Sequence, residues 1–235
     1  MIGVREVCVA LLFGEPLFYI YFIYGLSFLV MAGLVLRGIK RATSVTLVSS
    51  FSMLAAFGLT HGITELTDWM RFIRYELDQS ESAALLYISQ IFLILSFVLL
   101  LQFSINVLTY KNSQRKSPRA IPSVLAGVFL AVLYFFRISD ISQAGLLARY
   151  CFGFAGSALS AVMFFRLSNT FKPLGNKKLD RGLIVTAAGF AVYAICGGLI
   201  VSPLLGVPIQ LFRAICAFMI AASSASILDM FKVQR

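Results

Sequence analysis

Seven long apolar runs, at about 16–36, 44–70, 83–109, 120–137, 144–166, 181–202 and 208–230, alternate with short polar segments. A helix needs roughly 20 mostly apolar residues to cross a bilayer, and each run is close to that length. The runs are continuous, whereas a membrane barrel would show short segments of alternating polarity. The fourth run is the shortest, with Pro118 and Pro122 at its start. The pattern predicts an all-α polytopic membrane protein, one domain over residues 1–235, folded as a seven-transmembrane-helix bundle.

Composition agrees with this reading. Of the residues, 60% are hydrophobic and 13% are charged, against about 25% charged in an ordinary soluble domain. The opening MIGVREVCVA lacks the basic stretch and the small-residue cleavage site of a removable leader. The four cysteines, Cys8, Cys151, Cys196 and Cys216, show no paired or metal-binding spacing and read as small apolar residues.

The charge of +10 orients the bundle. Fourteen of the twenty basic residues fall in alternate connections: Arg37, Lys40 and Arg41; four between 111 and 119; five between 166 and 181; and Lys232 and Arg235 in the tail. Basic residues collect on the cytoplasmic side. The N-terminus is therefore expected outside and the C-terminus inside, in a bacterial cytoplasmic membrane. Short basic loops of this kind meet anionic lipid head groups and do not indicate nucleic-acid binding.

Ionisable side chains inside a membrane cost several kcal/mol or more, so their depth is informative. In this topology His61, Glu65 and Asp68 of the second run, Arg137 at the end of the fourth, Arg149 in the fifth and Arg213 in the seventh all lie in the outer half. Glu15 stands at the outer mouth of the first run. A channel or pump needs polar groups along its whole path, and the inner halves here are plain. His61, Glu65 and Asp68 fall within about 60° of arc on one helix. Gly58 and Gly62 beside them allow a backbone or a ligand to approach closely.

These seven residues form the candidate ligand site. Guanidinium groups at Arg149 and Arg213 would hold a carboxylate or similar acceptor, with His61 as a further donor. A quinone or another lipophilic small molecule reaching the site from the bilayer would suit it. The competing account is packing alone, with Arg149 and Arg213 neutralising Glu65 and Asp68. A metal set of His61, Glu65 and Asp68 would need a fourth ligand from elsewhere. The single histidine excludes three-histidine zinc and bis-histidine haem. No lysine lies inside a run, which disfavours a retinal pigment. The small residues Gly153, Gly156, Ser157 and Ser160, and AASSAS at 221–226, are expected to serve packing within the chain more than a dimer face. The aromatic run YIYFIY at 19–24 is expected mostly at lipid or interface. Gly197 and Gly198 are expected to bend the sixth run near its outer end.

The segment FGLTHGITELTDWM resembles a pattern found in membrane-embedded N-terminal sensor regions of bacterial histidine kinases and diguanylate cyclases, of the form F-G-L-x-H-G-x-x-E-W-x-D. Phe57, Gly58, Leu59, His61, Gly62, Glu65 and Asp68 match it. Leu66 stands where the pattern has tryptophan, and Trp69 follows three residues later. The resemblance covers about a dozen residues, and span number and orientation add to it. It implies a non-enzymatic signal-input module that binds a small ligand and transmits through the last helix to a cytoplasmic output domain or partner. A homodimer is expected if a kinase-type output is attached. The alternative classes are an intramembrane enzyme, with His61 as base and Glu65 orienting it, and a transporter subunit using the same polar cluster.

Overall fold

The structure, a computed structural model, describes residues 16–40, 45–77, 79–108, 121–138 and 140–229, with the side chains at 45–49, 121–122, 174 and 229 outside the description. Arg5, Cys8, Glu15, Arg41, Pro118, the basic segment 111–119, and Lys232 and Arg235 all lie outside the described residues.

Seven helical rods make up the described residues, and no strand occurs among them. They are α1 (Pro16–Ile39), α2 (Val45–Glu76), α3 (Ala83–Leu108), α4 (Ile121–Phe135), α5 (Ile141–Phe171), α6 (Lys177–Leu199) and α7 (Ile209–Asp229). Each coincides with one predicted run. Among the described residues, α1, α3, α5, α6 and α7 are long and apolar enough to cross a membrane, and the apolar part of α4, Ser123–Phe135, is shorter. The rods outrun the apolar pattern where polar residues continue the helix. In α2, DWMRFIRYE carries on for a further turn and a half, with Arg71 donating to Asp68 three residues earlier at 2.9 Å. Asp140 caps the start of α5 by accepting from the Ser142 N–H at 2.8 Å. Asn176 caps α6 in the same way, accepting from Leu179 N–H at 3.1 Å. Gly175, at φ +68°, supplies the left-handed turn between α5 and α6 that a side chain would strain.

Side-chain contacts fix the directions of the rods. Phe18 meets Trp69, Tyr21 meets Phe72 and Phe28 meets Phe57, so α1 and α2 are antiparallel. Gly153 lies against Phe97 and Gly156 against Leu100 and Leu101, so α3 and α5 run parallel. Tyr21 meets Gln210 and Gly38 meets Leu228, so α1 and α7 also run parallel. The packing order is a ring, α1–α2–α3–α5–α6–α7, closed by α7 against α1. The peripheral α4 packs against α3 and sets Phe129 on Phe152 of α5. The small-residue positions of α5 thus serve packing inside the chain, as expected. Ser104 of α3 donates to the Gly156 carbonyl at 2.8 Å and lies 2.7 Å from Ser160.

Polar and apolar residues are distributed inside out relative to a soluble bundle. Exposed positions include Phe22, Ile91, Leu130, Phe165, Ile184 and Ile215. His61, Glu65, Arg213 and a set of serines and threonines are buried. Such an arrangement is compatible with a membrane protein.

Gly58 and Gly62 face α1. A methyl group added at Gly58 would lie 2.9 Å from the Phe28 carbonyl oxygen and 2.8 Å from Met31 Cε, whereas one added at Gly33 meets nothing within 4 Å. Gly58→Ala is expected to destabilise the bundle by about 1–3 kcal/mol and Gly33→Ala to leave it unchanged. Thermal denaturation of the two detergent-solubilised variants checks the contrast.

Candidate functional site

His61 sits where four helices meet, and none of its surface is exposed. Its Nδ1 lies 2.9 Å from the Ser96 hydroxyl of α3. That hydroxyl gives its one hydrogen to the Leu93 carbonyl at 2.7 Å, so it accepts from His61, and Nδ1 carries the proton. The bare Nε2 then accepts from the Tyr193 hydroxyl of α6 at 2.9 Å, with the Tyr24 hydroxyl of α1 at 3.3 Å. Phe28, Phe57 and Phe97 surround the ring at centroid distances of 4.5, 5.3 and 5.4 Å. One imidazole thereby ties α1, α2, α3 and α6 together in an aromatic cage.

Glu65, one turn further along α2, is also buried, with Oε1 3.4 Å from His61 Nε2. This oxygen has no hydrogen-bond partner among the described residues. Two lone pairs face each other across that gap, so the contact becomes attractive only with a proton between them. The Tyr24 side chain sits at the junction of Glu65, Tyr193 and Arg213.

Arg149, half-buried, and Arg213, buried, reach the same region from α5 and α7, and both turn to backbone. In α6 the residues Ala194–Leu199 form a widened π turn, with the Ile200 N–H donating to the Ile195 carbonyl at 2.9 Å, and the chain then leaves in extended conformation. A helix end leaves carbonyls without partners and carries partial negative charge. Arg213 donates through Nε to the Cys196 carbonyl and through Nη2 to the Ile200 carbonyl, both at 2.7 Å. Arg149 donates to the Gly197 carbonyl at 3.1 Å and lies 5.7 Å from the Phe97 ring centroid. Arg149 itself opens a second π turn, Arg149–Gly153 in α5. Gly197 and Gly198, where a bend is expected, lie in the π turn of α6, and Gly198 permits the close approach to α5: a methyl there would lie 2.7 Å from Phe154 Cα. π turns of this kind are frequent at functional sites.

The structure brings His61, Glu65, Arg149 and Arg213 together. It does not bring in Asp68, which accepts from Arg71 at 2.9 Å and from Ser89 at 2.7 Å. The expected neutralisation of Glu65 and Asp68 by direct pairing with Arg149 and Arg213 is thus replaced. Among the described residues neither arginine makes an ion pair within 4 Å, and both cations rest on carbonyl dipoles, with Glu65 acting at longer range. Arg137 is exposed at the end of α4 with φ +52°, away from the cluster. Glu15 lies outside the described residues. The metal set is not assembled either: no three His, Cys, Asp or Glu side chains converge on a metal-sized site among the described residues.

A cavity of about 380 Å³ opens beside the cluster, at the end of the bundle where α2 finishes and α3 begins. Its apolar wall is Tyr21, Phe72 and Tyr75, with Tyr21 stacked on Phe72 at 5.6 Å. Asp68, Arg71, Arg74 and Glu81 supply its charges. Arg71 is held by both carboxylates, donating to Asp68 and through Nε and Nη2 to Glu81. Tyr21 accepts a hydrogen bond from Gln210 of α7 at 2.9 Å.

No protein-family model, curated protein or solved structure matches this chain.

Tyr24, Tyr193, Ser96 and Arg74 carry much of this geometry, and the sequence reading did not single them out. Tyr24 lies in the aromatic run expected at lipid; Tyr19, Phe22 and Ile23 of that run are exposed, but Tyr24 is fully buried. The signal that could have found it is helical spacing: Tyr24, Phe28, Met31 and Val35 recur on one buried face of α1.

Proposed function

We propose that this chain is the signal-input module of a membrane receptor, with seven spans, the cavity end outside and the end of α7 directed to a cytoplasmic output domain or partner. The orientation rests on the distribution of basic residues, and the class on the resemblance of FGLTHGITELTDWM to sensor regions. The observation that carries the reading is the physical connection from cavity to α7. Tyr21 lines the cavity and bonds to Gln210, one turn before Arg213, whose guanidinium grips the open end of α6. The same α6 bears Tyr193, the donor to His61. A ligand in the cavity that shifts Tyr21 or Asp68 would bias the packing of α7 against α6 between two arrangements.

Spin labels at exposed Val162 of α5 and Ala222 of α7, in a background without native cysteines, test this in lipid nanodiscs. Tyr193→Phe removes one hydrogen of the hub with little change of shape. It is expected to shift the distance distribution by on the order of 1–2 Å or to add a second population. An unchanged distribution, in a variant of unchanged helicity, would sink the sensor reading and leave His61 a packing device.

A further inference from the structure

The four charged groups of the cavity do not pair off evenly. Arg71 is shared by two carboxylates, Asp68 and Glu81, so one negative charge there lacks a cation of its own. Arg74 shows the opposite imbalance. It makes no ion pair among the described residues, and its hydrogen bond is to the Ser80 carbonyl at 3.2 Å. Its Nε is buried without a partner among the described residues. Among the described residues, one unmatched anion and one unmatched cation thus face a cavity whose remaining wall is the Tyr21–Phe72 stack with Tyr75 at its rim.

A purely anionic ligand would satisfy Arg74 and be repelled by the Asp68–Glu81 pair. A purely cationic ligand would meet the reverse. An uncharged apolar ligand would leave both imbalances standing beside a desolvated wall. We infer that the cavity formed by Tyr21, Asp68, Phe72, Arg74 and Glu81 binds a small zwitterion carrying an apolar body. Its oxyanion lies on Arg74, its ammonium on the free oxygens of the Asp68–Glu81 pair, and its apolar part against the aromatic rings. A volume of about 380 Å³ is of the size that takes one small organic ligand, and an apolar amino acid has the required chemistry. The head group of a zwitterionic phospholipid, with phosphate and ammonium a few ångströms apart, offers the same pair of charges from the bilayer. This names the ligand class of the input site in the sensor reading, on which its signalling role rests; the binding itself does not depend on signalling.

The test is calorimetric titration of the detergent-solubilised chain with L-phenylalanine, phenethylamine, which lacks the carboxylate, and 3-phenylpropanoate, which lacks the ammonium. L-Phenylalanine is expected to bind at least tenfold more tightly than either analogue. Arg74→Gln is expected to remove its advantage over phenethylamine, and Glu81→Gln to reduce its advantage over 3-phenylpropanoate. Equal binding of all three compounds, or no binding of L-phenylalanine, would overturn the inference; the analogue comparison in the unaltered chain stands even if a variant fails to fold. Repeating the titration in nanodiscs with and without phosphatidylethanolamine separates the two sources. Loss of phenylalanine binding when that lipid is present assigns the site to the head group, and unchanged binding assigns it to a free amino acid. Binding that leaves the Val162–Ala222 distances unmoved would sink the sensor reading while the site stood.

Discussion

Replacing His61 with alanine is expected to lower the melting temperature of the detergent-solubilised protein by roughly 10 °C. The ring is fully buried among Phe28, Phe57 and Phe97, and truncating a buried ring of this size costs about 3–5 kcal/mol. For a chain of this length each kcal/mol is worth about 2–4 °C. The loss also strands the Tyr193 hydroxyl and the acceptor side of Ser96. Two milder variants divide the hub. Asparagine reaches as far as Nδ1, keeping the donation to Ser96 and losing Tyr193; glutamine reaches as far as Nε2, keeping Tyr193 and losing Ser96. A double-mutant cycle of His61→Ala with Tyr193→Phe is expected to give a coupling of about 1–2 kcal/mol. Zero coupling would mean that the 2.9 Å contact contributes nothing. Because the chain has one histidine, its imidazole nitrogen resonances are free of overlap and check the assignment directly, with Nδ1 protonated and Nε2 accepting.

How much of this was legible in the sequence follows from what burial costs. His61, Glu65, Arg149 and Arg213 stand out because an ionisable group in an apolar run must be accommodated by a partner, and all four do meet. Tyr24, Tyr193 and Ser96 carry no charge and are ordinary in membrane helices, so nothing in composition separates the buried Tyr24 from the exposed Tyr19 five residues earlier. Asp68 falls outside the site because a shared arc on α2 says nothing of depth: His61 and Asp68 both face α3, at Ser96 and Ser89, but seven residues at about 1.5 Å each put Asp68 about 10 Å further along, at the cavity. The seven rods follow the seven apolar runs closely. Their ends do not, because helix propensity and capping at Asp140 and Asn176 continue the helix past the apolar boundary. The partners of the arginines were beyond reach for a different reason. They are backbone carbonyls exposed by a π turn, and a sequence names side chains only.

That backbone role gives Arg213 the second large effect. Its planar fork spans the carbonyls of Cys196 and Ile200, four residues apart, with two bonds of 2.7 Å. Lysine is a point charge on a flexible stem and cannot reproduce both bonds in fixed geometry. Arg213→Lys is therefore expected to retain part of the stabilisation and Arg213→Met to lose about 2–4 kcal/mol, since it leaves two carbonyls without a donor in an apolar setting. The loss should appear locally before it appears globally. Hydrogen exchange over residues 194–208 is expected to rise in Arg213→Lys and further in Arg213→Met, with the Ile200 amide, bonded to Ile195 at 2.9 Å, among the first to lose protection. Exchange in α3, to which neither of these two Arg213 hydrogen bonds runs, should stay as in the unaltered chain. If Arg213→Met left the 194–208 segment as protected as before, the end of α6 would be held by its own turn, and the connection from α7 to the Tyr193–His61 hub would have no mechanical basis. If protection falls in the order arginine, lysine, methionine, then the geometry of the guanidinium, beyond its charge, joins the two helices on which the signal path depends.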